Sequence, residues 1–114
     1  MDGRVQIPVI EYLKDKFNAK FVDSITEPGP NYILAAESDF SLLQSIHTRL
    51  DISVDKHKSE AIAIVGHHDC AGNPRPKEEQ LEHIQKSMAW LKSKYPSVEV
   101  IGLWVDDSWE VNEV

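Results

Sequence analysis

The apolar run Ala61-Ile62-Ala63-Ile64-Val65, closed by Gly66-His67-His68-Asp69-Cys70-Ala71-Gly72-Asn73-Pro74, constrains this chain more than any other stretch. Its length and β-branched content are those of a buried strand, and the segment after it, opened by Pro76, carries its apolar residues at helical spacing. In an open α/β sheet, the loop leaving a strand's carboxyl end is where ligands and chemistry gather. That loop holds the chain's one cysteine, Cys70, three residues after His67. A single cysteine forms no internal disulfide, so Cys70 is a buried small hydrophobe, a metal ligand or a reactive thiol.

The rest of the chain supplies the frame for that loop. Val9, Ile10, Leu13 and Phe17 recur at helical spacing after Pro8, which suits a first helical turn, and predict a helix over 7–18. Ala19–Ile25 reads as a strand, and the prolines of Glu27-Pro28-Gly29-Pro30-Asn31 make a loop. One or two helical turns are expected over 32–36. Ser38 or Asp39 caps a longer helix with Leu43, Ile46 and Leu50 on one face, followed by the polar stretch Asp55-Lys56-His57-Lys58. The strand over 61–66 comes next. A helix over 76–94 buries Leu81, Ile84, Met88 and Leu91 and turns Glu78, Glu79, Lys86 and Lys92 to water. Val98–Val105 is the last strand. The order α, β, α, β, α, β, without repeats, predicts an α/β fold: a small, largely parallel sheet flanked by helices.

At 114 residues the chain is one domain, 1–114, with a core of its own. The net charge of −7 and the scattered lysines and arginines argue against a nucleic-acid partner. No apolar stretch approaches the ~20 residues that cross a bilayer, and the amino end lacks a signal-peptide pattern, so a cytoplasmic protein without a membrane partner is expected. His47, His57 and His83 fall in helices or polar stretches and read as solvated or half-buried. Trp90, Trp104 and Trp109 read as core or subunit-interface residues.

Gly66-His67-His68-Asp69-Cys70-Ala71-Gly72 resembles the Gly-His-x-x-Cys-Gly-[Gly/Ala] motif of the β-class carbonic anhydrases, with alanine at the first glycine after the cysteine. Met1-Asp2-Gly3-Arg4-Val5 is similar to that family's Cys-x-Asp-Ser-Arg motif, with glycine for serine. Ile101-Gly102-Leu103-Trp104-Val105-Asp106-Asp107 is similar to its closing strand. Thr26-Glu27-Pro28-Gly29-Pro30-Asn31 stands in place of Arg-Asn-Ala-Gly-Asn and keeps the glycine and the final asparagine. The alternative alignment, through Phe21-Val22-Asp23-Ser24-Ile25, retains Asp-Ser but loses cysteine and arginine and leaves the first helix and strand without counterparts; the Met1 alignment keeps the family order. It places the family's first strand and its cysteine before Met1, as in a piece of a longer protein or a shortened relative.

The resemblance implies zinc as cofactor, with His67 and Cys70 as ligands, and reversible hydration of carbon dioxide to bicarbonate. Zinc with three protein ligands and an open position lowers the pKa of bound water toward neutrality. It assigns Asp2 and Arg4 to a catalytic pair beside the metal, the arginine holding the aspartate. Asp2 is also a possible third ligand, and His68 and Asp69 are expected in supporting or surface positions. Dimers with sites near the subunit interface, or larger homo-oligomers, follow from the same resemblance, and a thin sheet has reason to pair. Two other readings stand beside it. A degenerate domain without metal would act through binding or assembly. A metal-free sulfurtransferase would use the Cys70 thiolate in the loop Cys70–Arg75, stabilised by backbone N–H groups and a helix N-terminus.

Overall fold

In the computed structural model, which describes residues 1–114, the chain starts at once on a helix. Asp2 accepts a hydrogen bond from the backbone N–H of Arg4 at 2.9 Å and so caps α1, Gly3–Phe17. This cap moves the helix start four residues ahead of the expected position and puts Pro8 inside the helix rather than in its first turn. The segment 19–25, expected as a strand, is not one. A strand requires a paired neighbour, and the sheet order β1-β2-β3 offers none on that side. The segment instead runs unpaired, with Phe21 at 88% exposure and the Asp23 carboxylate tied to the His57 ring at 2.6 Å.

Gly29 then takes a left-handed φ of 64° and starts the short α2, Pro30–Ala36. Asp39 caps α3, Phe40–Asp51, by accepting from Leu42 N–H, and a π-helical turn over Ile52–Lys56 follows. β1, Ala61–His67, leads through the histidine–cysteine loop into α4, Lys77–Lys94. Glu78 and Glu79 in the first turn of α4 and Lys92 and Lys94 in its last complement the helix dipole. β2, Glu99–Val105, runs parallel to β1 from Ala61↔Glu99 to His67↔Val105. An element absent from the sequence reading, β3, Val111–Glu113, turns back antiparallel on β2 and makes the sheet mixed.

The α/β class therefore holds, with α4 packed on the parallel pair β1–β2. Ile84, Met88 and Leu91 from α4 pack with Ile64, Val100 and Trp104 from the sheet, and α2 and α3 add Leu34, Leu43, Ile46 and Leu50. Leu81, at the edge of the α4 stripe, is half-buried. Helix α1 stands outside this cluster. Its residues Val9, Ile10, Leu13 and Phe17 are half-buried, and with 19–30 and the open edge of β1 they enclose a cleft of about 1280 Å3.

Candidate metal centre

The candidate site lies at the carboxyl end of β1. Because β1 and β2 are parallel, the loops leaving both strands emerge on the same rim, and His68 N–H donates to Val105 O at 2.9 Å to tie them together. His67 and Cys70 are both 7% exposed, whereas His68 and Asp69 face solvent. Asp69 takes a left-handed φ of 57°, which reverses the chain between the two buried residues.

His67 Nδ1 lies 2.7 Å from His68 O. A carbonyl only accepts, so Nδ1 carries a proton, and in the neutral ring the lone pair is then on Nε2, the tautomer a metal-ligating histidine needs. Cys70 is a free thiol.

Arg4 brings the amino-terminal pair to this loop. Its Nη2 and Nε donate to the Asp2 carboxylate at 2.6 and 3.0 Å. Its Nη1 donates to Asp69 Oδ2 and its Nη2 to Asp69 O, both at 3.2 Å. These charge-assisted bonds hold the Asp2 carboxyl well below the ordinary carboxylate range and raise the Arg4 guanidinium further above its own. Asp2 is thus an ionised acceptor, and it lines the same cleft as His67 and Cys70. The structure brings all four sequence-predicted residues together, with Asp69 as the connection.

Beneath the loop sits a polar cluster that the sequence reading missed. Gln80 Nε2 donates to the carbonyls of His67 (2.9 Å), Asn73 (3.2 Å) and Arg75 (3.3 Å), while its Oε1 accepts from Asn31 Nδ2 at 3.2 Å. Asn73 Nδ2 bonds His83 Nδ1 at 2.9 Å, and Ser87 Oγ donates to Asn31 O at 2.8 Å. Burial lowers the pKa of His83, in keeping with the neutral ring that accepts from Asn73. Asn31, Asn73, Gln80 and Ser87 are each at most 1% exposed, and no buried side-chain polar atom is left without a partner. Gly29 and Gly72 meet backbone to backbone: a Cβ on Gly72 would lie 2.3 Å from Pro28 C. The retained asparagine and glycine of the 26–31 loop were the sequence signal for this contact.

The donors only partly match zinc. An unprotonated Nε2 beside a thiol is the right chemistry, but catalytic zinc takes three protein ligands. No group of three or more His, Cys, Asp or Glu side chains is placed to hold a metal ion. Asp2, the third ligand considered from sequence, is committed to Arg4. The residues of this chain alone do not make a complete zinc site.

Among the other histidines, His47 stacks edge-on against Trp90 and Tyr95, and His57 is exposed against Asp23. Trp104 is core, whereas Trp109 lies over Arg4. No helix is long and apolar enough to cross a membrane.

No curated protein and no solved structure matches the chain. One family model, described as "Putative carbonic anhydrase", matches residues 1–114. With that match over its whole length, and with the motif residues converging at the end of β1, the chain belongs to this carbonic anhydrase family.

Proposed function

We propose that the rim of β1 is a β-class carbonic anhydrase centre in which His67 Nε2 and the Cys70 thiolate are zinc ligands and the parent activity is hydration of carbon dioxide. The observation that carries this reading is the fixed tautomer of His67 beside a buried free thiol, joined through Asp69 to an ionised Asp2 locked on Arg4. An ionised carboxylate lining the cleft is a fixed hydrogen-bond acceptor, and the guanidinium behind it keeps it from being protonated or drawn away. A third donor has room to enter from the cleft. A strand seated along the open edge of β1 would end beside His67 and Cys70, where the family resemblance puts a cysteine.

Cobalt(II) titration of the purified chain tests the ligand assignment. The expected result is a thiolate-to-metal absorption band that saturates at about one metal per chain, disappears in Cys70→Ser and weakens in His67→Ala. A titration with no such band, or one unchanged by Cys70→Ser, overturns the assignment. Carbon dioxide hydration by the metal-loaded protein is the next assay.

A further inference from the structure

Trp109 has a φ of 60°, a left-handed conformation that bulky side chains rarely adopt. The turn after β2 holds it there. Asp106 Oδ1 accepts from Ser108 N–H at 2.9 Å and Glu110 N–H at 3.0 Å, and its Oδ2 accepts from Asn112 Nδ2 at 3.2 Å. Trp109 N–H donates to Asp106 O, and Asp106 N–H to Glu110 O, both at 3.0 Å. The indole so presented lies with its ring centre 4.3 Å from Arg4 Cζ, and it meets the His68 ring edge-to-face with ring centres 6.3 Å apart.

We propose that Trp109, seated by the Asp106 turn, is a positioning residue for the Asp2–Arg4 pair: its indole face keeps the guanidinium where it reaches Asp2 and Asp69 together. The need for such a device follows from exposure. The Arg4 side chain is 45% exposed, and ion pairs in water hold a long, rotamer-rich side chain weakly. The bonds to Asp2 and Asp69 use the N–H groups of the guanidinium, while its central carbon lies over the indole ring. Backbone strain maintained at a functional rim by surrounding hydrogen bonds has this kind of use. Importance for catalysis rests on the function proposed above, whereas the seating of Arg4 is independent of it.

The test is 15N NMR of the metal-free protein at the Arg4 Nε–H, assigned by its loss in Arg4→Lys. The signal is expected to be displaced by the indole ring current and to exchange slowly with water. Trp109→Leu should abolish the displacement and speed exchange about two- to fivefold, the range a surface cation–π contact supports. Trp109→Phe, which keeps an aromatic face, should restore most of the slowing. Asp106→Asn, which leaves the indole intact but cannot accept from Asn112, should give a partial loss and serves if the leucine variant does not fold. An Arg4 signal unchanged in Trp109→Leu or, where that variant is unfolded, in Asp106→Asn overturns the proposal. So does a Phe variant as fast as the Leu one. Because no metal is present, a failed cobalt titration leaves this result untouched.

Discussion

Gln80 lies in the first turn of α4, where a polar residue ordinarily faces water, yet it is 1% exposed and its amide serves three carbonyls at once. Gln80→Leu would take this donor from the buried His67 carbonyl and the acceptor from Asn31 Nδ2, and should cost about 1–3 kcal/mol in urea denaturation. It should also loosen His67. Gly72→Ala pushes a methyl group into the Pro28–Gly29 backbone and should cost about 1–3 kcal/mol by the same measurement. That His67 and Cys70 share the loop after β1 was legible in the sequence because their spacing is local. The cluster of Asn31, Asn73, Gln80 and Ser87 was not, because its members come from three separate parts of the chain and each alone reads as a polar side chain facing water. Trp109 was assigned to core or interface for a similar reason, since its partner Arg4 is more than a hundred positions away in sequence.

At the level of elements, α4 was readable because its period and its burial agree: Ile84, Met88 and Leu91 recur on one face and are buried, with Glu78, Glu79, Lys86 and Lys92 exposed. Ile84→Ala, at a side chain with 0% exposure, should cost about 2–5 kcal/mol. Strand 19–25 was misread because a β-branched, apolar pattern states a preference, and only a partner turns it into a strand. The turn that creates β3 was available in Asp106-Asp107-Ser108 followed by Val111, but it lay past the point where the last strand was expected to stop. Its stability is linked to pH. Hydrogen bonds from Glu110 and Ser108 N–H and from Asn112 lower the Asp106 pKa in the folded state. The turn is therefore stabilised above the unfolded carboxylate value, about 3.9, and that contribution is lost as pH falls through the depressed folded one. Protection of the 111–113 amides, measured against their intrinsic exchange rates, should fall in acid before the core opens, and Asp106→Asn should remove that pH dependence.

Across the whole molecule, the cleft is the dominant feature. Ala61, Ala63 and Val65 alternate along β1 away from the α4 face, and the strand's outer edge has no paired neighbour. Such an uncharged edge invites pairing with another chain. The protein should associate as concentration rises, and Ala63→Lys should suppress this in sedimentation experiments while leaving the packing of α4 intact. Parallel β1 and β2 also divide the molecule into two ends. Helix α4 runs back from the candidate site, so Lys92 and Lys94 stand at the far end, beside the start of β2. Immobilising the protein on a sensor surface through that end would leave the rim of β1 facing the solution, an orientation well suited to presenting metals and gases to it.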